Sequence, residues 1–126
     1  MKPSARLITS VKAHEGCPLI AYLDTSKVVT LGWGHVQAGL KLGMTCTQAQ
    51  ADAWLAADLQ ESVDNVAAYL PWSLKLSQPR FDVLAEMSFN LGLHGLLGFP
   101  KMLACCKAGD YPGAASAMLF LSLIHI

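Results

Sequence analysis

The chain has 126 residues, 53% apolar and 14% charged, and its nine basic and nine acidic side chains cancel to a net charge of zero. That length fits one domain, and the balance excludes intrinsic disorder, which needs low hydrophobicity and high net charge. A neutral chain carries no electrostatic signature of a nucleic-acid or membrane-surface binder, so no nucleic-acid partner is expected.

From Ser4 to His14, Leu7, Ile8 and Val11 recur on one helical face, and Gly16 supplies a stop, so Glu15 stands at the tail of a short helix. Leu19–Asp24 and Val28–Gly32 are β-type runs on either side of the polar Thr25-Ser26-Lys27. A hairpin centred on Lys27 would set Asp24 directly opposite Thr30. Gly32, Gly34, Gly39 and Gly43 then mark a loop-rich stretch with room for a third short strand.

Thr47-Gln-Ala-Gln50 reads as a capping box. Behind it Ala51, Leu55, Leu59, Val63, Val66 and Leu70 trace one helical face up to Pro71, a span of roughly 35 Å. A further helix is expected from Pro79 to Gly92, with Phe81, Leu84, Ala85, Ser88 and Phe89 inward. Another runs from Pro100 to a stop at Gly109, and a last one opens near Pro112 and carries Met118, Leu119 and Phe120. The fold class is α+β, in one domain over residues 1–126: a small β-lobe at about 16–46, a linking helix at about 48–70, and a helical lobe from 1–14 and 71–126.

No apolar run of ~7–15 residues follows Lys2 and Arg6, so no secretory signal is expected. The longest uncharged stretch, 111–126, falls short of the ~20 residues of a membrane span, so no stable membrane insertion is expected. Cys17, Cys46, Cys105 and Cys106 form no CxxC pair and read as free thiols; no metal and no cofactor is expected. The glycines match no phosphate-binding pattern.

One constellation carries chemistry. Glu15 is followed after eight residues by Asp24, after five more by Thr30, and at once by Leu31-Gly-Trp-Gly-His35. Cleaving a glycosidic bond takes a protonated acid beside the leaving oxygen and a carboxylate on the opposite face of the sugar. A helix C-terminus disfavours the Glu15 anion, and an apolar wall from Trp33 or Phe89 would push the same way. Asp24, at the mouth of a hairpin, is better solvated and stays ionised. Thr30 adds a hydroxyl able to share a water with Asp24. His35 reads as a structural, hydrogen-bonded or salt-bridged histidine rather than an acid–base group. Trp54 and Trp72 read as packing residues.

Ala13-His-Glu-Gly-Cys-Pro-Leu-Ile-Ala-Tyr-Leu-Asp24 through Thr30-Leu-Gly-Trp-Gly-His35 resembles the phage-type lysozymes, or endolysins, of glycoside hydrolase family 24. Their pattern is Glu-x8-Asp-x5-Thr followed by a Gly-aromatic-Gly-His turn. Phe81-Asp-Val-Leu-Ala-Glu-Met-Ser-Phe-Asn-Leu-Gly92 is similar to a second family helix, and the surroundings of Gly98-Phe99 and Cys106–Asp110 also fit. The resemblance implies a lysozyme-like fold and an inverting muramidase. It makes Glu15 the general acid, has Asp24 and Thr30 position the water, and places Asn90 and Trp33 against substrate. The implied substrate is the β-1,4 bond between N-acetylmuramic acid and N-acetylglucosamine in bacterial peptidoglycan. The implied setting is a monomer in the host cytoplasm before lysis, dependent on a holin to reach the cell wall. The final stretch, Ser116–Ile126, matches none of the family's continuation, so the resemblance implies a domain truncated at its C-terminus. Two other readings compete: a lytic transglycosylase on the same bond, which needs only the acid, and a non-catalytic wall-binding or structural phage protein.

Overall fold

The computed structural model describes residues 1–14 and 16–124, without the side chains of 118–124. Helix α1 spans Ala5–His14 and buries Leu7 and Val11, two of its three expected inward positions. It opens on Ser4, whose hydroxyl oxygen accepts the Leu7 N–H (3.0 Å), as N-cap residues do.

Strands β1 (Tyr22–Leu23) and β2 (Val29–Thr30) form a two-stranded antiparallel sheet. They are shorter than the runs of β-forming residues suggest, because turns claim the rest. The expected third strand is reduced to a single bridge, Ile20 with Thr45.

Helix α2 (Gln48–Tyr69) begins with the reciprocal bonds of a capping box: Gln50 N–H donates to Thr47 Oγ1 (3.1 Å) and Thr47 N–H to Gln50 Oε1 (2.9 Å). Ala51, Leu55, Leu59, Val63, Val66 and Leu70 are all buried, the face that the spacing predicts. Pro71 cannot continue the ladder and instead opens a 3-10 turn, Pro71–Lys75, absent from the sequence expectation.

Helix α3 (Gln78–Leu97) carries Pro79 in its first turn, where a missing N–H costs nothing, and buries Phe81, Leu84, Ala85 and Ser88. It breaks at Gly92 (φ 76°, ψ 163°), the expected stop, and a further short helical stretch then runs on to Leu97. Helix α4 (Pro100–Ala108) ends on Gly109 in the left-handed conformation, as the sequence indicates. Helix α5 (Tyr111–Ile124) follows; the side chains of Met118, Leu119 and Phe120 lie outside the described part.

The chain forms two compact units, Met1–Asp64 and Asn65–Ile126. The first holds α1, the hairpin, the glycine loops and most of α2; the second holds the end of α2 and everything after it. Among the described residues, no helix is long and apolar enough to cross a membrane.

Candidate functional site

The site begins with the turn Asp24-Thr-Ser-Lys-Val28. Lys27 N–H donates to Asp24 C=O (2.9 Å), and Lys27 itself takes a left-handed φ of 62°. This is the three-residue hairpin loop, a tight turn closed by one left-handed residue. Asp24 stabilises it from the side: its Oδ1 accepts the N–H groups of both Ser26 and Val28, each at 2.8 Å. Asp24 N–H donates in turn to Val28 C=O at 3.0 Å.

The hairpin is therefore centred on Ser26, not Lys27. Tyr22 stands opposite Thr30 and Leu23 opposite Val29, so Asp24 faces Val28. The direct Asp24–Thr30 pairing expected from the sequence is corrected by this register, because the left-handed Lys27 tightens the loop. Moving the centre by one residue changes partners but preserves parity, so Tyr22, Asp24, Val28 and Thr30 still share a face.

Asp24 and Thr30 meet instead at the main chain of Val28. The Thr30 hydroxyl donates to Val28 C=O at 3.0 Å, while Val28 N–H is held by Asp24. Thr30 is 3% exposed and Asp24 half-buried. Among the described residues, Asp24 Oδ2 takes no hydrogen bond. Asp24 Oδ2 and Thr30 Oγ1 thus each keep lone pairs able to accept a hydrogen bond.

Next along the chain, Gly32 and Gly34 (φ 65° and 79°) turn the backbone so that Leu31 bridges His35. Trp33, within this turn, and His35, at its end, are fastened to different residues of α2. Trp33 Nε1–H donates to Asp52 Oδ1 at 2.8 Å, and Lys12 Nζ lies 5.3 Å from the ring centroid. Asp52 Oδ1 also accepts from Gln48 Nε2 (3.1 Å) and pairs with Lys12 at 3.7 Å. The Trp33 hydrogen bond and then that of Gln48 hold the Asp52 carboxyl below the ordinary aspartate range; burial opposes them and the Lys12 charge adds to them.

His35 is 9% exposed and structural, in line with its sequence reading. Its Nδ1 donates to Asp58 Oδ2 at 2.8 Å, and Nε2 lies 2.8 Å from Gln37 Oε1. Its ring stacks on Trp54 with centroids 4.5 Å apart and planes within 7°, which makes Trp54 a packing residue. The Asp52 and Asp58 contacts were not predicted: they join residues 19 and 23 positions apart, beyond any local pattern.

Of the other expected site residues, Glu15 lies outside the described residues. Asn90 is exposed on α3, two residues before the break at Gly92, in the second unit. All four cysteines are free and half-buried. Burial and the neighbouring Cys17 raise the Cys46 thiol above its usual range; burial and Cys105 do the same for Cys106. Among the described residues, no cluster of three or more His, Cys, Asp or Glu could hold a metal ion.

Residues 12–121 match the phage lysozyme family model. The chain belongs to the phage lysozyme family. It is 38% identical over 95 residues to an endolysin of Lactococcus phage c2, covering 73% of this chain and 40% of that relative. The chain therefore spans less than half the length of that protein. Among solved structures it resembles the endolysin from Escherichia coli O157:H7 phage FAHEc1 (TM-score 0.79, 29% identity, 95% of this chain and 76% of the other). It also resembles the muramidase domain of SpmX from Asticaccaulis excentricus (TM-score 0.75, 27% identity, 91% and 76%). This chain's helical architecture with a small two-stranded sheet is the α+β, lysozyme-like fold expected from the sequence.

Proposed function

We propose that this chain is a peptidoglycan hydrolase, a muramidase that cleaves the β-1,4 bond between N-acetylmuramic acid and N-acetylglucosamine for host-cell lysis. Membership of the phage lysozyme family, joined to the acceptor pair that Asp24 and Thr30 build around Val28, is the observation that carries this reading.

In the reaction Glu15 is the general acid and protonates the leaving glycosidic oxygen. A water donates one proton to Asp24 Oδ2 and the other to Thr30 Oγ1. Its lone pair then faces the anomeric carbon, and Asp24 withdraws a proton as the bond forms. Such a water needs room between acid and base, about 6.5–9.5 Å between the carboxyls, and its attack inverts the anomeric centre. Trp33 and Asn90 contact the glycan. Trp33 does so through its ring, since its N–H is engaged by Asp52. The protein acts as a monomer, is held in the host cytoplasm before lysis, and reaches the wall through a holin.

The test is release of new reducing ends from purified cell walls. Wild-type protein should release them and Glu15→Gln should not; release undiminished by that substitution ends the assignment. Product masses separate hydrolysis from transglycosylation, because the hydrolase leaves a hydrated muramic acid end and the transglycosylase a 1,6-anhydro end.

A further inference from the structure

Glu15 is flanked in sequence by two residues that are both fastened to the first two turns of α2. Lys12, three residues before it, reaches Asp52 at 3.7 Å, and Cys17, two residues after it, receives the Gln48 amide at 3.5 Å. Gln48 and Asp52 are themselves joined at 3.1 Å, one helical turn apart. The same Asp52 oxygen holds the Trp33 indole at 2.8 Å, and Lys12 sits over that ring at 5.3 Å. One exposed carboxylate oxygen thus gathers α1, the glycine turn and α2.

A chain folding for stability alone gains little here, since exposed pairs contribute modestly. Three donors on one oxygen do fix positions. The indole has a single N–H, so this bond fixes where the nitrogen edge of the ring points. Lys12, drawn between the carboxylate and the ring face, fixes the last turn of α1 ahead of Glu15.

We propose that Asp52 is a positioning residue for the glycosidase reaction: it orients the Trp33 ring and, through Lys12, the chain that leads into Glu15. This rests on the muramidase reading above and adds to it a residue outside the acid–aspartate–threonine pattern. Catalysis falls steeply when reacting groups lose their alignment, by up to ~100-fold for about 1 Å.

The experiment measures kcat and KM on soluble wall glycan, with thermal melting and the Trp33 indole N–H exchange rate alongside. Asp52→Ala should lower kcat about tenfold, raise KM through the loosened Trp33 ring, leave Tm nearly unmoved, and speed indole N–H exchange. Asp52→Asn keeps an oxygen for the indole and should recover to within about threefold of wild type. Trp33→Phe lacks the N–H, so Asp52→Ala added to it should cost less than it does in the wild type, only the Lys12 route being left to lose. The proposal is overturned by an unchanged kcat in Asp52→Ala, by a loss that tracks Tm, by multiplicative effects in the double variant, by an Asn variant as poor as the Ala variant, or by an unchanged exchange rate. Failure here with Glu15→Gln still inactive would leave the muramidase reading standing. A wild type that releases no reducing ends overturns both.

Discussion

Gly32 is where the structure makes its sharpest stability prediction. The residue has φ +65°, and a Cβ built there lies 3.0 Å from Ala51 Cβ and 3.4 Å from Ala51 Cα. Gly39 has φ +88° with nothing within 4 Å of its virtual Cβ, so it carries the conformational penalty without the contact. A left-handed alanine costs about 1–2 kcal/mol, and loss of glycine's freedom in the unfolded chain offsets about 0.4–1 kcal/mol of it. Gly39→Ala should therefore destabilise by about 1 kcal/mol. At Gly32 the new methyl meets a buried helix residue, 1% exposed, which has no rotamer by which to move aside. Overpacking of that kind adds about 1–3 kcal/mol, so Gly32→Ala should cost about 2–4 kcal/mol in all. Ala51→Gly removes the opposing methyl at a helix-propensity cost of about 1 kcal/mol, and the double variant should be more stable than the sum of the singles predicts. Urea unfolding followed by circular dichroism measures the four variants against wild type. Equal losses at Gly32 and Gly39, or strict additivity in the double variant, would refute the reasoning.

Asp24→Asn retains an oxygen for the Ser26 and Val28 N–H groups, so it should melt within a few degrees of wild type while reducing-end release falls by about 100-fold or more. Asp24→Ala, which leaves both N–H groups without that oxygen, should cost about 1–2 kcal/mol by thermal denaturation. His35→Ala removes the Asp58 contact and the Trp54 stack together and should destabilise by about 2–4 kcal/mol, read as a lower urea midpoint. Asp52 has a depressed folded-state pKa, so its contribution is present above the ordinary aspartate range and lost as pH falls through the lowered value. The Trp33 indole N–H resonance should titrate with a midpoint below that range, and Asp52→Asn should abolish the transition.

What the sequence disclosed was whatever is written in local chemistry. The Thr47–Gln50 box, the six buried positions along α2 and the left-handed Gly109 each depend on residues within a few positions of one another, so pattern alone places them. The hairpin centre depends on something finer. Thr25, Ser26 and Lys27 can close a loop in more than one way, and the structure selects the one in which Lys27, a residue with no special liking for left-handed φ, adopts it. The side-chain bonds of Asp24 help to stabilise that choice, and no propensity scale contains them. The fastenings of Trp33 and His35 were illegible for a different reason. Asp52 and Asp58 sit among other polar residues of α2, and only the folded chain distinguishes them from their solvated neighbours.

The correction at the hairpin also sharpens the chemistry. Had Asp24 and Thr30 faced each other directly, the hydroxyl could have donated to the carboxylate and closed the pair on itself. With Val28 between them, the Thr30 proton is taken by a main-chain carbonyl and Asp24 Oδ1 by two main-chain N–H groups. Each side chain keeps acceptor capacity and neither can satisfy the other, because two acceptors do not hydrogen-bond. A group that bridged them in the proposed reaction would have to bring two protons, as water does. In the proposed reaction a three-residue loop thus does more than reverse the chain: by using up one oxygen and one hydroxyl proton, it determines which way a bound water must face.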